Sequence, residues 1–181
     1  LNGTTAYLAA GNAGLRVVDV SNPAAPAAVG SMPALGGFAT RVAYQSGRVY
    51  VSVQDVGMVV VDVSNPAAPV ELGRYLVTGP SNFQIRSVAV AGNTAYIGKD
   101  DGIVSVDVTN PGSPVALDSL IFGGNGASQY ILLDGSNAFV GNRYHGVRVL
   151  DIANPAAISE IDLIENGGFT FKVNVVGGTA Y

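Results

Sequence analysis

Four aspartates recur in the same sequence setting and are the most conspicuous groups that could do chemistry. They are Asp19, Asp62, Asp107 and Asp151, and each follows a run of apolar residues and precedes a turn that contains proline. Carboxylates could bind a metal ion, but such a site needs several oxygens that converge on one ion. These aspartates are separated by 43, 45 and 44 residues. We therefore expect each carboxylate to accept backbone N–H groups in the turn that follows it, as Asx-type turns do.

Two polar turns carry further candidate groups. Lys99-Asp100-Asp101-Gly102 has adjacent carboxylates, so Asp100 and Asp101 could hold Ca²⁺, but their spacing differs from that of an EF-hand loop and a plain polar turn is favoured. No metal or cofactor is predicted.

Asn142-Arg143-Tyr144-His145-Gly146 contains the only histidine, a residue type that can act as a general base or a metal ligand. The chain has no cysteine and no second histidine, which excludes a His-based zinc site within it. No serine stands in a nucleophile-elbow context. We expect this turn to be a contact surface that the other repeats do not share.

The elements that must position these residues come from an internal repeat. Its copies begin at Gly14, Gly57, Gly102 and Gly146, and they read GLRVVDVSNPAAP, GMVVVDVSNPAAP, GIVSVDVTNPGSP and GVRVLDIANPAAI. A near-constant period of this length indicates a repeat architecture and outranks local signals.

Each repeat divides into four short apolar segments separated by turn residues. In the third repeat the predicted strands cover residues 87–91, 94–98, 103–108 and 115–122. Four strands with short polar connections form an antiparallel meander, and four-stranded sheets repeating at this period are the blades of a β-propeller. The third strand is apolar on both faces, as expected where both faces of a sheet are covered. No segment has a helical pattern.

The repeat boundaries predict an all-β chain made of one propeller array. We expect a partial blade with three strands, three full blades and the start of another, at residues 1–33, 41–78, 85–122, 128–164 and 169–181. Segments 3–7 and 177–181 would claim the same strand position in a closed four-bladed ring. We therefore expect part of a larger propeller, or a half-ring that needs a partner.

Composition limits the classes of partner. Hydrophobic residues make up 48% of the chain, charged residues 12%, and the net charge is −4. The basic residues are scattered, so nucleic-acid binding is not expected. Every apolar run is much shorter than the ~20 residues of a membrane-spanning helix, and the first residues lack the pattern of a signal peptide.

In a propeller, the links between blades and the turns between the second and third strands emerge on one face, around the mouth of the channel. Arg41 and Lys172 occupy equivalent positions in their repeats, with Ser87 and Tyr130 at the same place in the two repeats between them. Arginine and aromatic residues suit a protein-contact surface. The candidate contact residues are Arg41, Arg86, Gln129, Tyr130, Arg143, Tyr144, His145 and Lys172. Three phenylalanines on this face could equally be plugs between blades, namely Phe38, Phe83 and Phe169.

The repeated segments that begin at Gly14 and Gly57, each preceded by a short strand with a tyrosine, resemble the LVIVD-repeat family. The resemblance covers essentially the whole chain and implies a β-propeller of a bacterial or archaeal surface or secreted protein. The fourth copy departs from the pattern, with Ala153 in place of serine and Ile158 in place of the last proline. The family offers no catalytic constellation that could be carried over to these residues.

We expect a non-enzymatic extracellular or cell-surface scaffold that mediates protein–protein contacts or self-assembly. Two alternatives remain open, a ligand-binding or hydrolytic propeller with its site at the channel mouth, and a purely architectural lattice protein. Convergence of Arg41, Arg86, Gln129, Lys172 and the His145 turn would favour a site at the mouth, whereas scatter around the rim would count against an enzyme.

Overall fold

The chain folds into a β-propeller array. A computed structural model describes residues 1–77, 84–122, 127–165, 167–176 and 179–180, and these contain seventeen strands in five antiparallel sheets. No helix occurs among them. Correspondingly, the described residues include no helix long and apolar enough to cross a membrane.

The strands of each sheet follow one another in chain order, so every sheet is a meander. Blade 1 contains β1 (Thr5–Ala9), β2 (Leu15–Asp19) and β3 (Ala27–Met32). Blade 2 contains β4 (Ala39–Gln45), β5 (Arg48–Val53), β6 (Gly57–Asp62) and β7 (Val70–Leu76). Blade 3 contains β8 (Ile85–Ala91), β9 (Thr94–Lys99), β10 (Gly102–Asp107) and β11 (Val115–Ile121). Blade 4 contains β12 (Ser128–Asp134), β13 (Asn137–Asn142), β14 (Gly146–Asp151) and β15 (Ser159–Ile164). The last sheet pairs β16 (Val175–Val176) with β17 (Thr179–Ala180).

The hydrophobic core consists of three clusters, each between two consecutive blades. In β6, Val59 and Val61 pack towards blade 1, whereas Met58 and Val60 pack towards blade 3, and all four side chains are fully buried. Alternate residues of one strand therefore enter two different cores, which is why this strand is apolar on both faces. The predicted propeller blades are confirmed.

The proline turns of blades 2, 3 and 4 also contact the preceding blade. Gly73 of β7 lies so close to the Pro111 turn of blade 3 that an added Cβ would be 2.5 Å from the Pro111 carbonyl oxygen. At the equivalent place in blade 3, Asp118 Oδ2 accepts a hydrogen bond of 2.7 Å from the Ile158 N–H of blade 4. The repeated turn is thus part of the interface that holds successive blades together.

The first strand of each full blade lies at the inner edge of the array. These strands, β4, β8 and β12, pack beside one another, and they bound an inner cavity of about 310 Å³. In the last sheet, the pairing between β16 and β17 covers two residues of each strand. The predicted blade ends at residues 78 and 181 lie outside the described residues.

Candidate functional site

The links between blades and the turns after each second strand share one face of the propeller. Gly11 and Ala39 exchange two backbone hydrogen bonds of 3.1 Å, and the Gln54 N–H donates to the Phe38 carbonyl at 2.9 Å. In blade 4 the Arg143 N–H donates to the Ala127 carbonyl at 3.1 Å. We call the side that carries these contacts the channel-mouth face.

A β-bulge occurs at the same position in the first strand of blades 2, 3 and 4. The pairing register shifts between Ala39 and Arg41, between Ile85 and Ser87, and between Ser128 and Tyr130. The residue inside each shift has no partner across the ladder, and bulges of this kind re-aim a side chain. The three bulged residues are Thr40, Arg86 and Gln129.

The bulged residues of three blades line one cavity on the channel-mouth face. This mouth cavity has a volume of about 280 Å³. Its lining consists of Ala9, Gly11, Phe38, Ala39, Thr40, Arg41, Gln54, Arg86 and Gln129. Three of the predicted contact residues, Arg41, Arg86 and Gln129, are therefore brought together, and the described part of the wall holds two guanidinium groups and no carboxylate.

The two arginines of the mouth cavity are held differently. Arg86 Nε donates to Asp100 Oδ1 at 2.6 Å, and the Gln84 N–H donates to Asp100 Oδ2 at 3.3 Å. This carboxylate therefore orients Arg86 through one edge of its guanidinium group. Arg41 is exposed, and its guanidinium carbon lies 5.9 Å from the centroid of the Tyr130 ring. Among the described residues no carboxylate forms an ion pair with Arg41.

The adjacent carboxylates of the Lys99 turn serve as partners of cations. Asp100 pairs with Arg86 as described, and Asp101 Oδ1 lies 3.2 Å from Lys99 Nζ. Within the described part of the chain, no three His, Cys, Asp or Glu side chains are placed to hold one metal ion. The observed role of Asp100 is to fix the direction of Arg86.

The four repeated aspartates each close the turn that follows them. In every copy Oδ1 accepts the N–H of the residue two positions later, at 2.7 to 2.8 Å; the pairs are Asp19 with Ser21, Asp62 with Ser64, Asp107 with Thr109, and Asp151 with Ala153. The backbone hydrogen bond from Ser64 is the main reason that the pKa of Asp62 is lowered. Hydrogen bonds from the Thr109 side chain and backbone likewise lower the pKa of Asp107. Because these bonds run to the backbone, Ala153 can replace serine in the fourth copy.

A cluster of an arginine and three aromatic rings lies on the same face, where the turn after β13 meets the segment that follows blade 4. The guanidinium carbon of Arg143 lies 5.0 Å from the Tyr144 ring centroid and 6.0 Å from that of Phe169. Tyr144 and Phe169 centroids are 5.1 Å apart, and those of Phe169 and Phe171 are 6.0 Å apart. The three rings remain 49%, 59% and 57% exposed, respectively. We call Arg143, Tyr144, Phe169 and Phe171 the rim cluster.

With the fold and these sites described, the family can be identified. The sequence profile of the LVIVD repeat matches residues 1–33, 36–77, 84–120 and 125–164. The chain belongs to the LVIVD-repeat family. No functionally curated protein matches it.

Solved structures with low sequence identity share the fold of this LVIVD-repeat chain. The computationally designed protein Ika8 aligns with a TM-score of 0.70 and 13% identity, over 97% of this chain and 50% of Ika8. The designed protein Ika4 aligns with a TM-score of 0.65 and 15% identity, over 84% of this chain and 88% of Ika4. The extracellular domain of the hybrid two-component system BT4673 from B. thetaiotaomicron aligns with a TM-score of 0.64 and 15% identity, over 96% of this chain and 24% of that one. The LVIVD-repeat chain thus spans half the length of Ika8.

One side-chain amide of the fourth LVIVD repeat is buried, and no hydrogen-bond partner for it is found among the described residues. Asn142 is fully buried, and neither its amide nitrogen nor its amide oxygen has a partner within the described residues. Asn142 is the last residue of β13. The equivalent residue in blade 2 is Val53, the last residue of β5, and Val53 belongs to the core between blades 1 and 2. An amide therefore occupies a place that a valine fills in another repeat.

The predicted contact residues of the LVIVD-repeat chain divide into separate groups. Arg41, Arg86 and Gln129 line the mouth cavity, and Tyr130 contacts Arg41 and lines the inner cavity. Arg143 and Tyr144 belong to the rim cluster, whereas the partly buried His145 and the exposed Lys172 do not line the mouth cavity.

Sequence reasoning missed some site residues and misplaced others. Thr40, Gln54 and Phe171 were not predicted; Thr40 reaches the cavity through its bulge, which depends on pairing across the sheet. Phe38 and Phe169 are 47% and 59% exposed, so neither is a plug between blades. The third phenylalanine of that interpretation, Phe83, lies outside the described residues.

Proposed function

We propose that this chain is a non-enzymatic extracellular or cell-surface scaffold that binds a protein partner through the rim cluster. The observation that carries the proposal is the exposed group of three stacked or tilted rings around the Arg143 guanidinium. Tyrosine, phenylalanine and arginine are enriched at the centres of protein interfaces. Large exposed apolar groups that lie together mark interaction sites more often than isolated ones do.

The rim cluster is suited to binding because its side chains are already in contact. Each side chain that is ordered on association costs about 0.5–1.5 kcal/mol, and prior contact among Tyr144, Phe169 and Phe171 reduces that cost. A hydrogen bond of 3.2 Å from the Thr170 N–H to the Arg143 carbonyl ties the segment with both phenylalanines to the turn of blade 4. We infer a partner surface with an apolar pocket and a carboxylate to meet Arg143.

The family and one neighbour support the location. The LVIVD-repeat match and the alignment with an extracellular domain both favour a role outside the cell. Accessibility on intact source cells tests this part directly, because a protease or antibody added to unbroken cells should reach the protein. Protection until the cells are lysed would contradict it.

Photo-crosslinking on the source cells tests the partner site. A photoreactive phenylalanine at Tyr144 should give a discrete crosslinked protein, whereas the same group at Val115 should not. Val115 is a matched control because its side chain is 58% exposed and because it pairs with Asp107, at the end of the blade 3 sheet that is opposite the channel-mouth face. Equal crosslinking at both positions, or none at Tyr144, would contradict the proposal.

Alanine variants then test the energetics with the crosslinked partner. Truncating Phe169 or Tyr144 should weaken binding about tenfold or more, equivalent to about 1.4 kcal/mol, since central aromatic residues dominate interface energies. Val115→Ala should leave the affinity within about twofold. A partner that binds the Phe169→Ala protein as tightly as the parent protein would place the interface elsewhere.

A further inference from the structure

We propose that the mouth cavity binds a small oxyanion, with Arg41 and Arg86 as its charged contacts. This site goes beyond the proposed contact at the rim cluster and uses none of its residues. Carboxylate and phosphate groups both present charged oxygens to which guanidinium groups donate hydrogen bonds, so the ligand could carry either group.

The first argument is the distribution of charge. The chain has a net charge of −4 and only nine basic residues, yet two of them line this one cavity. None of the described residues that line the cavity has a carboxylate. Arg86 is paired with Asp100, whereas no carboxylate among the described residues forms an ion pair with Arg41, so the positive charge at this cavity is only partly compensated. An anion between the two arginines would meet the charge of Arg41 and the terminal nitrogens of Arg86.

The second argument is the way in which Arg86 is oriented. A guanidinium group presents five N–H donors in a fixed plane. Asp100 occupies the Nε edge at 2.6 Å, and no partner for the two terminal nitrogens is found among the described residues. The other oxygen of Asp100, Oδ2, accepts the Gln84 N–H at 3.3 Å. The arrangement fixes the plane of Arg86 and leaves a pair of parallel donors for a bidentate oxyanion.

The third argument is that the β-bulges place polar side chains in the wall of the cavity. Arg86 and Gln129 reach the cavity from bulged positions on neighbouring blades, and Gln54 joins them from the turn of blade 2. Amide groups at these places can donate to or accept from the remainder of a ligand. Phe38 contributes an apolar edge. Polar groups from separate strands that converge on one concave space are the usual features of a small-molecule site.

The size of the space limits the ligand. About 280 Å³ lies near the lower end of the ~300–1,000 Å³ range of ligand pockets. A molecule of the size of a short dicarboxylate fits this volume. The proposed ligand is therefore a free small molecule, and binding should be measurable without any protein partner.

Calorimetric titration of the whole chain at low ionic strength tests the proposal. Succinate and inorganic phosphate serve as the two anionic probes, and succinamide is the neutral analogue of succinate. We expect saturable 1:1 binding of at least one anionic probe and no binding of succinamide. The stronger of the two anions identifies whether the site prefers carboxylate or phosphate. Absence of saturable binding for both anions, or equal binding of succinamide, would overturn the proposal.

A pair of charge-matched variants separates a specific site from general attraction. Arg41→Gln should weaken anion binding about tenfold or more, because a charge-assisted contact is lost. Arg16→Gln removes the same charge from an exposed residue of β2 outside the cavity and should change the affinity less than about twofold. Equal weakening in both variants would show non-specific attraction and refute the site. Partner binding by the rim cluster should be unchanged in Arg41→Gln, so failure of either proposal leaves the other open to its own test.

Discussion

The close approach of Gly73 to the next blade predicts a sharp loss of stability on a very small change. An alanine Cβ at this position would lie 2.5 Å from the Pro111 carbonyl oxygen and 2.8 Å from two backbone atoms of Gly112. Ordinary contacts begin near 3.4 Å, so the turn would have to retreat by about 0.9 Å. All three atoms belong to the backbone, and no side chain can rotate away to relieve the contact.

Two opposing terms set the size of the effect of Gly73→Ala. Overpacking a well-filled interface costs about 1–3 kcal/mol. Alanine also restricts the unfolded chain more than glycine does, which stabilises the folded protein by about 0.4–1 kcal/mol where the backbone permits alanine. The packing term is the larger, and we expect the free energy of unfolding to fall by about 1–2 kcal/mol.

Urea unfolding provides the assay, and Gly112 provides the control. A Cβ at Gly112 would meet its nearest atoms at 3.5 and 3.6 Å, which is ordinary contact on the other side of the same interface. With an m-value of about 2 kcal/mol/M, Gly73→Ala should lower the urea midpoint by roughly 0.5–1 M, whereas Gly112→Ala should leave it unchanged or raise it. Equal midpoints for the two variants would refute the view that the proline turn is closely packed on the preceding blade.

Three further predictions concern single side chains. Asn142→Val should raise the free energy of unfolding by about 1–2 kcal/mol. The reason is that valine, which blade 2 has at the equivalent position 53, replaces a buried amide with no partner among the described residues. A lower melting temperature would contradict this. The lowered pKa of Asp107 means that its carboxylate stabilises the fold above its unfolded pKa of ~3.9 and that this contribution is lost as the pH falls through the lower folded value. Melting temperatures measured from pH 6 to pH 2 should therefore fall less steeply for Asp107→Asn than for the parent protein, and parallel curves would be evidence against the turn bond. Arg148 is buried, and its guanidinium carbon lies 4.6 Å from the Phe122 ring centroid. Arg148→Ala should therefore lower the free energy of unfolding in urea by about 2–3 kcal/mol, and Arg148→Met should lower it clearly less, since methionine keeps the packing of the arginine's aliphatic stem. Equal losses in the two variants would assign the effect to the charge alone.

The features that could be predicted from the sequence are those set by neighbours along the chain. The hydrogen bond that the Thr109 N–H donates to Asp107 spans two residues, and the residue types of the repeated motif are enough to predict it. The strand pattern follows in the same way from the alternation of apolar runs and turn residues. The repeat period then indicates the propeller, because each four-stranded sheet needs a neighbour on both faces.

The features that could not be predicted depend on pairing across strands. Thr40 reaches the mouth cavity because the ladder between β4 and β5 shifts by one residue at that point, and nothing in the local residue types marks such a shift. The residue types around Asn142 indicate a polar, exposed turn, yet Asn142 is the last residue of β13 and occupies the buried position that Val53 has in β5. Packing between blades, rather than local preference, decides both cases.

The bulges explain how near-identical blades can form a site that differs at every position. A residue within the ladder must fit the core between two blades, as the fully buried Ile85 does. A bulged residue has no cross-strand partner, so its side chain can vary without disturbing that core, and Arg86 and Gln129 occupy equivalent positions. Each blade then contributes one group, and a ligand at the mouth is contacted by several blades at once. Arg41 and Arg86 belong to blades 2 and 3, whose interface includes Gly73 and the Pro111 turn. Anion binding should therefore weaken in Gly73→Ala even where the protein is fully folded, since a shift between these blades separates the two guanidinium groups.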